Sequence, residues 1–424
     1  MSGLLAIKEK MAERKKVIVV GDGPAGLMAA GFAAQSGAEV IVSGKMELPG
    51  NKLRLTGNGR CNLTNMAELG EFIKRFGKGG NFLRYAFSQF FNHDLIEFFN
   101  RLGVPTIMEE DGCVFTASGK SQDVVVALIK WARRNGATIK NLSPVQKLII
   151  ENGKVVGVET NKEKFCGDAV IIATGGASYP KTGSTGDGYK LAEQAGHKIV
   201  PIRPALVPLE TTGDIARRLQ GVSLKYTVTK LLIDGKKKAE SEKEIVFTHY
   251  GLSGPAILSL SRQAVDAMNE RRKVEISIDF RKRVSNTELD KMLASYFHEN
   301  GKKSLRTILK MLMPLKMADV FWIETGIDPT RKGSQITTQE RQMIHKWLKD
   351  LRFEVKGHRG FAEAMVTAGG VDLKQVDAHT MQSKLVKGLY FAGEVLDIDG
   401  DTGGFNLQAA FSTGRLAGLS AIII

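Results

Sequence analysis

Short apolar runs and helical patterns alternate in the first part of the chain. Residues 16–20 form an apolar run rich in β-branched side chains, which is typical of a buried parallel strand. A helical pattern follows at residues 27–36, and a second apolar run at residues 39–43. Together these segments have the length of a βαβ unit, about 30 residues. The pattern predicts an α/β fold that begins with a pair of parallel strands.

The rest of the chain divides into two segments whose hydrophobic and polar patterns differ. Up to residue 200 the pattern predicts helices at 82–101 and 122–134, a hairpin at 146–159 that turns at Asn152-Gly153, and a buried strand at 168–174. From residue 201 the pattern predicts exposed strands at 226–233 and 274–280 and then helices at 286–298, 304–312 and 338–351. After residue 357 the chain returns to strand and glycine-rich loop, and it ends in a helix at 406–420. We therefore expect an insertion of mixed β and α character within one α/β domain.

A glycine pattern after the first strand carries the strongest chemical signal. Gly21, Gly23 and Gly26, with Pro24 and Ala25 among them, form G-x-G-x-x-G between a predicted strand and a predicted helix. The first glycine allows a tight turn, the second lets the backbone approach a pyrophosphate, and the third lets the helix lie close to the strand. The helix N-terminus then offers unpaired N–H groups to the phosphates. The segment predicts a dinucleotide-binding site.

One element of such a site is missing from the sequence. The end of the second strand usually carries an acidic residue that binds the ribose hydroxyls. Here the strand ends at Ser43, Gly44 and Lys45 follow, and the next acid is Glu47. Either Ser43 or Glu47 replaces the acid, or the cofactor binds less tightly. Lys45 is also compatible with a 2′-phosphate, and hence with NADP.

Composition and charge narrow the class of protein. The 424 residues exceed one ordinary core, so two or three domains are expected. No apolar run reaches the about 20 residues of a membrane helix, and residues 1–16 predict a frayed tail or short helix because they lack the apolar core of a signal peptide. Three cysteines without metal-ligand spacing fit a reducing cytoplasm and predict no bound metal. The net charge of +15 favours anionic partners, and residues 201–357 contribute 29 Lys and Arg against 19 Asp and Glu.

Further motifs resemble, in the same order, those of a bacterial family of NAD(P)/FAD-dependent oxidoreductases, also described as aminoacetone-oxidase-type flavoproteins. The motifs are Thr56-Gly-Asn-Gly-Arg-Cys-Asn62 with Thr64-Asn65, Ala173-Thr-Gly-Gly176, Thr182-Gly-Ser-Thr-Gly-Asp-Gly188, Phe247-Thr-His-Tyr-Gly-Leu-Ser-Gly-Pro255, and Gly393-Glu-Val-Leu-Asp397 with Thr402-Gly-Gly-Phe-Asn406. The resemblance runs from residue 17 to residue 418. The chain departs from the family pattern at Gly44, where the family has its acid, at Asn51, where it has an arginine, and at Phe405, where it has a tyrosine.

This resemblance implies both a fold and a cofactor site. It implies a Rossmann-like FAD domain of the two-dinucleotide-binding type, with an inserted β-rich domain and an inserted helical domain. We expect the discontinuous FAD domain at residues 1–200 and 358–424, the β-rich domain at 201–285 and 352–357, and the helical domain at 286–351. The resemblance implies that the flavin or its phosphates lie beside Lys52, Gly57, Arg60, Cys61 and Asn62, the adenine beside Val145, and the ribityl chain beside Glu394. The predicted FAD site also includes Ala173, Thr174, Gly175, Gly393, Gly404, Phe405 and Asn406.

A flavin exchanges hydride, so the protein must supply a proton. His249, in a turn rich in glycine and serine, is one candidate proton donor; the alternative is a structural histidine. Cys61 is a second candidate, either as a proton donor or through an adduct; the alternative is a packed thiol. Arg60 is expected to hold a phosphate or an anionic group of the substrate, or else to be a surface arginine. With one dinucleotide fingerprint, NADH or NADPH is expected to reduce the flavin and leave before the substrate binds.

Three reactions and one role without catalysis stay open. The first, which the sequence favours, is NAD(P)H-driven reduction of an activated C=C bond in a small anionic molecule, such as an unsaturated 3-oxo bile acid or steroid, which the resembled family includes. The second is reduction of uridine to dihydrouridine in ribosomal RNA, also attributed to relatives. The basic insertion would bind phosphates, although no basic surface interleaved with aromatic residues is evident. The third is oxygen-dependent oxidation of an amine, and the last is flavin binding without redox activity.

Overall fold

The computed structural model describes residues 14–423, so most of the predicted tail or short helix at residues 1–16 lies outside the described residues. The described chain divides into two compact units. The first unit comprises the described residues up to Arg203 and those from Met365 onward, and the second comprises Pro204–Ala364. The finer division of the insertion into a β-rich domain and a helical domain remains a proposal.

The first unit begins with a long series of short elements. In chain order they are β1 (Lys16–Val20), α1 (Pro24–Gln35), β2 (Glu39–Ser43), α2 (Asn51–Leu55), β3 (Asn62–Asn65), α3 (Leu69–Lys74), α4 (Gly80–Gln89), α5 (Asn92–Arg101), β4 (Thr106–Met108), β5 (Cys113–Thr116), α6 (Ser121–Arg134), β6 (Thr138–Lys140), β7 (Val145–Glu151), β8 (Lys154–Thr160), β9 (Lys164–Cys166), β10 (Ala169–Ile172), α7 (Asp187–Gln194) and β11 (Ile199–Ala205).

The second unit follows, and the chain then returns to the first. The elements of the second unit are β12 (Leu209–Thr211), α8 (Ile215–Arg218), β13 (Ser223–Leu224), β14 (Val228–Ile233), β15 (Lys236–Ser241), β16 (Ile245–Phe247), β17 (Gly251–Ser253), α9 (Pro255–Asn269), β18 (Val274–Asp279), α10 (Asn286–Glu299), α11 (Leu305–Leu312), α12 (Leu315–Thr325), α13 (Thr338–Lys349), β19 (Leu351–His358) and α14 (Gly360–Glu363). The returning segment contains β20 (Val366–Val371), β21 (Leu389–Phe391) and α15 (Phe405–Ser420).

A five-stranded parallel sheet forms the centre of the first unit. Its strand order is β21-β10-β1-β2-β6, and each neighbouring pair runs parallel. All four residues of β10 and the last four of β1 are buried, as expected for strands covered on both faces. The carboxyl ends of β1, β2, β10 and β21 therefore lie along one edge of the sheet, where α/β proteins bind their ligands. The predicted Rossmann-like α/β fold is confirmed.

Small residues bring the last helix close to the first. A Cβ atom at Gly414 of α15 would lie 2.4 Å from the Ala25 carbonyl oxygen of α1, and one at Gly418 would lie 2.3 Å from the Ala29 carbonyl oxygen. Real Cβ atoms do not approach backbone oxygens so closely, so α15 packs on α1 only because these two positions are glycine. This packing places the N-terminus of α15 at the same edge of the sheet as the N-terminus of α1.

Two three-stranded antiparallel sheets complete most of the first unit. Their strand orders are β3-β5-β4 and β7-β8-β9. The hairpin of β7 and β8 turns at Asn152 and Gly153 with φ values of 50° and 74°. Two successive positive φ values are typical of the type I′ turn that joins two-residue hairpins, so the predicted hairpin is confirmed.

The second unit is built on an eight-stranded antiparallel sheet. The order is β13-β16-β17-β12-β19-β18-β14-β15, and its neighbouring strands run antiparallel. Helix α9 packs against β14 and β18, and α13 packs against β18 and β19. The strands β14 and β18 are therefore almost wholly buried, which corrects the prediction that residues 226–233 and 274–280 form exposed strands.

One predicted helix is divided in two, and the helices include two long ones that the sequence analysis did not predict. The helix predicted at residues 82–101 is two helices, because Phe90 adopts an extended conformation with φ −162° and ψ 102°. The helices α9 and α12 were not predicted. Each has a proline at its start, Pro255 within the first turn and Pro314 at the N-cap, where a missing N–H costs no helical hydrogen bond.

Candidate functional site

The turn after β1 has the backbone that a dinucleotide requires. A Cβ atom at Gly21, where φ is 108°, would lie 2.5 Å from the Ala173 carbonyl oxygen, and one at Gly26 would lie 1.9 Å from the Gly21 carbonyl oxygen. A Cβ atom at Gly23 would meet nothing within 4 Å. Chain packing thus requires Gly21 and Gly26, whereas Gly23 presents bare backbone to open space at the start of α1. This is the cradle that a pyrophosphate needs, so the residues present fit FAD.

The segment after β10 lies against this turn. The Ala173 N–H donates to the Val20 carbonyl at 2.8 Å, and Gly175 has a φ of 72°. A Cβ atom at Gly188 would lie 2.0 Å from Thr174 Oγ1. The structure therefore brings the predicted residues Ala173, Thr174 and Gly175 to the same sheet edge as the glycine turn.

The end of β2 is tied to the start of β7. The Ser43 hydroxyl donates to the Ser143 carbonyl at 2.5 Å, and the Ser143 N–H donates to the Gly44 carbonyl at 2.8 Å. Val145, two residues further on, therefore begins β7 beside the end of β2, on the side where the adenine was predicted. The Lys45 ammonium contacts Asp187 and the Thr185 hydroxyl, each at 2.6 Å, so its charge is already balanced by a carboxylate.

Lys52 and Glu394, which are 342 positions apart, meet in a polar cluster of the first unit. Lys52 Nζ lies 2.7 Å from Glu394 Oε2 and 2.8 Å from the Ser178 hydroxyl. The other carboxylate oxygen, Glu394 Oε1, accepts from the Thr367 N–H at 2.7 Å and from Ser178 at 3.0 Å. Both charged side chains are about one-fifth exposed, at 21% and 20%. The two side chains are therefore mostly buried, and a ligand could contact the part that remains exposed.

A glycine pair forms the N-terminus of α15. Gly404 has a φ of 92°, and a Cβ atom there would lie 2.3 Å from the Thr64 carbonyl oxygen. The Asn65 side chain donates to the Gly403 carbonyl at 3.1 Å, and the Asn62 side-chain oxygen accepts from the Gly404 N–H at 3.3 Å. The start of α15 is thus held against β3, with Phe405 as its first helical residue.

Two further predicted residues stabilise the segment that leads into α15. Asn406 accepts from the Gly400 N–H at 2.8 Å and donates to the Gly400 carbonyl at 2.9 Å, which closes the loop before the helix. Gly393, with a φ of 75°, donates its N–H to the Thr413 hydroxyl at 3.0 Å. The two residues fix the backbone from which Glu394 and the N-terminus of α15 reach the sheet edge.

The loop before β3 holds three of the predicted residues in different surroundings. Gly57 has a φ of 58°, and Cys61 also has a positive φ, of 60°. The Arg60 guanidinium is half-exposed, pairs with Glu109 at 2.7 Å and lies 4.1 Å over the Phe115 ring. The Cys61 side chain is fully buried, and burial raises the pKa of its thiol to about 12. A thiol with that pKa is protonated at neutral pH, so this geometry does not favour Cys61 as a nucleophile, and its catalytic role stays a prediction.

His249 lies in a polar cavity of the second unit. The cavity has a volume of about 230 Å³, and its lining includes His249, Tyr250, Glu210, Arg217 and Lys356. The His249 and Tyr250 rings are 4.9 Å apart. Burial raises the pKa of the Tyr250 hydroxyl above its usual value, so the hydroxyl stays protonated at neutral pH and is a weaker acid than an exposed tyrosine. The cavity therefore places a hydroxyl that the sequence did not suggest beside the candidate proton donor His249.

Comparison with known proteins identifies the family. Residues 15–420 match the family described as HI0933-like protein Rossmann domain. The chain belongs to this family. The match confirms the recognised resemblance and makes the chain a member of an FAD-dependent oxidoreductase family. The roles of its individual residues stay predictions.

Curated relatives resemble this HI0933-like chain over nearly its full length. It is 32% identical to a ribosomal RNA dihydrouridine synthase of Haemophilus influenzae, covering 97% of this chain and 99% of the relative. It is 30% identical to a 3-dehydro-bile acid delta(4,6)-reductase of Clostridium scindens, covering 96% and 98%. A ribosomal RNA dihydrouridine synthase of Escherichia coli is 29% identical, covering 95% and 96%.

Solved structures support the fold. A 3-ketosteroid-delta4-(5alpha)-dehydrogenase from Rhodococcus jostii RHA1 superposes with a TM-score of 0.53 at 16% identity, covering 99% of both chains. The open conformation of a flavocytochrome c3 fumarate reductase superposes with a TM-score of 0.52 at 19% identity, covering 99% of this chain and 80% of that one. At these identities the likeness concerns the fold alone.

Residues 14–423 include neither a membrane-spanning helix nor a cluster of metal-binding side chains. No helix among them is long and apolar enough to span a bilayer. No group of three or more His, Cys, Asp or Glu side chains in that range is arranged to hold a metal ion.

Sequence reasoning missed several polar residues of the site. Ser178 and Thr367 were not singled out, although they complete the hydrogen bonds of Glu394. Tyr250 stands next to the predicted His249 within the same motif. Asp22 lies inside the glycine fingerprint itself. Asp22 could have been noticed in the sequence because a turn that binds phosphates does not generally need an acidic residue.

Proposed function

We propose that this protein is an FAD-dependent reductase that adds hydrogen across a C=C bond conjugated to a carbonyl group. The observation that carries the proposal is that relatives with two different names, both matched over nearly the full chain, share this type of reaction. Dihydrouridine is uridine whose C5–C6 double bond, conjugated to the C4 carbonyl, has been reduced. In a 3-dehydro bile acid, double bonds at positions 4 and 6 are conjugated to the C3 carbonyl.

The proposed reaction transfers one hydride and one proton. A bound FAD would supply the hydride for the β-carbon of the double bond, and NADH or NADPH is the reductant that we propose for it. The protein must then supply a proton to the α-carbon. His249 and Tyr250 are the donors we propose, because their rings lie side by side in the cavity of the second unit. Cys61 is the less suitable donor because its thiol is fully buried.

Within the first unit, each predicted group has a distinct task toward FAD. The Gly23 backbone and the N-terminus of α1 would receive the pyrophosphate. The N-terminus of α15 at Gly404 would stabilise negative charge on the reduced ring system. Glu394, held by Lys52, keeps a fixed carboxylate for the ribityl hydroxyls. These tasks suit a domain that binds and orients the cofactor.

The substrate that we place first is a uridine in ribosomal RNA. Three consecutive lysines, Lys236, Lys237 and Lys238, are exposed on β15, which is an edge strand of its sheet. Tyr226 is 87% exposed and follows the exposed Lys225. Exposed lysines neutralise phosphates, and an exposed aromatic ring beside a lysine is a place for a base to stack. The structure thus supplies an aromatic and basic pair that was not evident from the sequence.

A small anionic molecule, such as an unsaturated 3-oxo bile acid or steroid, is the second candidate substrate. The observation that favours it is the 30% identical bile acid reductase. The cationic side chains Arg217 and Lys356, which line the cavity with His249, would suit a carboxylate. We do not propose oxygen-dependent oxidation of an amine as the function, and oxygen serves as a control acceptor in the test below.

The test begins with the protein reconstituted with FAD and reduced anaerobically by NADPH or NADH. The reduced protein is mixed in parallel with ribosomal RNA from cells that lack the gene, with a 3-oxo bile acid unsaturated at positions 4 and 6, and with oxygen. We expect rapid flavin reoxidation by RNA, with dihydrouridine detected by mass spectrometry. Reoxidation by the bile acid alone would move the second candidate to first place, and reoxidation by oxygen alone would contradict a C=C reductase.

Two charge variants sharpen the RNA arm of this test. Changing Lys236, Lys237 and Lys238 to glutamate removes the exposed lysines of β15. The salt dependence of RNA binding should then fall by roughly 0.7 to 0.9 in log–log slope for each lost phosphate contact. Flavin reduction by NADPH should stay unchanged. A matched variant that changes Lys302 and Lys303, which are also exposed, shows whether the effect belongs to β15.

A further inference from the structure

A carboxylate fills the space beside Gly44, the position at which this family carries its acid. Asp22 is the residue between the first two glycines of the fingerprint. A Cβ atom at Gly44 would lie only 2.2 Å from Asp22 Oδ2 and 2.9 Å from Asp22 Cγ. The Asp22 side chain therefore occupies the volume that any side chain at Gly44 would need. A side chain at position 44 would therefore displace the Asp22 carboxylate, which reaches the end of β2 from the neighbouring turn.

This carboxylate lacks a donor for one of its oxygens. Asp22 Oδ2 is buried and has no hydrogen-bond partner. Burial raises the pKa of Asp22 to about 6, against the lowering effect of its own backbone N–H and of the Arg54 charge. A buried carboxylate oxygen without a donor is costly, and such a cost is usually retained only where the group binds something. A hydroxyl group placed here would satisfy it.

We propose that Asp22 binds the adenosine ribose hydroxyls of FAD, in the role that an acid at the end of β2 has in other dinucleotide sites. The inference rests on the proposal that FAD binds at the glycine turn. It also gives the ligand class: a vicinal diol fits here, and a 2′-phosphate does not, because its charge would face Asp22. The Lys45 ammonium, which would have favoured such a phosphate, is held by Asp187.

The two residues first considered for this role are placed differently. The Ser43 hydroxyl is buried and donates to the Ser143 carbonyl, so it is committed to fixing the β7 segment. The Glu47 side chain is exposed. Of the three, Asp22 alone combines a position at the end of β2 with an unsatisfied buried oxygen. Glu47 serves as a matched control because a Glu47→Gln change removes the same charge nearby.

The test measures binding to the apoprotein, with no turnover involved. FAD, ADP and 2′,3′-dideoxy-ADP are titrated into wild-type, Asp22→Asn and Glu47→Gln protein. We expect Asp22→Asn to weaken FAD and ADP binding about 10- to 100-fold, the effect of losing a hydrogen bond to a charged group. Wild-type protein should bind the dideoxy analogue more weakly than ADP by a similar factor, whereas Asp22→Asn should distinguish the two much less. Glu47→Gln should behave as wild type.

An exchange of the two positions gives an independent check. Gly44→Glu alone should weaken FAD binding because its side chain displaces the Asp22 carboxylate. The double change Asp22→Gly with Gly44→Glu restores the family pattern and should recover most of the affinity. The inference is wrong if Asp22→Asn binds FAD as wild type does, if wild type does not distinguish the dideoxy analogue, or if Gly44→Glu alone is harmless. Wild-type protein that binds no FAD overturns the cofactor proposal itself, and the inference with it.

Discussion

The stability of the apoprotein should increase when Asp22 is changed to asparagine. The folded protein holds this carboxyl at a pKa of about 6, whereas its ordinary value is 3.8. Between those values the folded protein binds more protons than the unfolded chain, so its stability falls as the pH rises from about 4 to about 6 and stays lower above that range. Asparagine has nearly the same shape and no charge, so it avoids this loss.

The size of the effect follows from the shift. Each pKa unit corresponds to about 1.4 kcal/mol, so a shift from 3.8 to about 6 costs about 3 kcal/mol at neutral pH. At pH 4 most of that cost is absent, and the gain from Asp22→Asn should be about 2 kcal/mol smaller than at pH 7. The charged side chain that acts on the Asp22 carboxyl is Arg54 on α2, and its guanidinium keeps its charge throughout this pH range.

Urea denaturation of the apoprotein at pH 4 and at pH 7, followed by circular dichroism, measures this directly. The Glu47→Gln variant carries the same change in charge at an exposed position and should match wild type at both pH values. A variant less stable than wild type at pH 7 would refute the reasoning, since it would mean that the carboxylate stabilises the fold. A gain of equal size at both pH values would refute it as well. Higher stability with weaker FAD binding is the combination expected of a binding residue.

Two further pairs of variants test the rest of the site. Glu394→Gln leaves a partly buried lysine without its carboxylate and should cost about 1 to 3 kcal/mol, between the values for exposed and buried ion pairs. Asp187→Asn breaks a more exposed pair and should cost less than about 1 kcal/mol, so equal losses in thermal denaturation would count against the structure. Gly26→Ala places a Cβ atom 1.9 Å from a backbone oxygen and should cost about 3 kcal/mol of stability. Gly23→Ala should keep the melting temperature while weakening FAD binding at least about tenfold, and normal FAD affinity would exclude this turn as the pyrophosphate site.

The parts of the fold that could be predicted are those that depend on residues close together in the sequence. The strand, glycine turn and helix around Gly21 to Gly26 follow from spacing alone, and so does the hairpin at Asn152-Gly153. The break at Phe90 has no such signal, because aromatic residues suit a helix and a strand alike. The burial of β14 and β18 depends on helices α9 and α13, which lie elsewhere in the chain. Periodicity could therefore indicate a strand there but not what covers it.

The candidate site was predictable residue by residue but not as an arrangement. Lys52 and Glu394 were both expected near the cofactor, yet their contact across 342 positions depends on β21 lying beside β10. The missing acid was visible at Gly44, whereas its replacement was not. The sequence shows Asp22 as a variable position of the fingerprint, and only the proximity of the β1 turn to the end of β2 reveals why a glycine follows Ser43.

The strands that lead into and out of the second unit are hydrogen-bonded neighbours, β11 and β20. Because β11 and β20 are hydrogen-bonded to each other, the two ends of the second unit stay together. The residues between these strands can therefore be lengthened, shortened or exchanged without altering the strand order of the parallel sheet. Residues 204–364 can therefore be exchanged as one insertion, and a protein engineer can use the same two junctions.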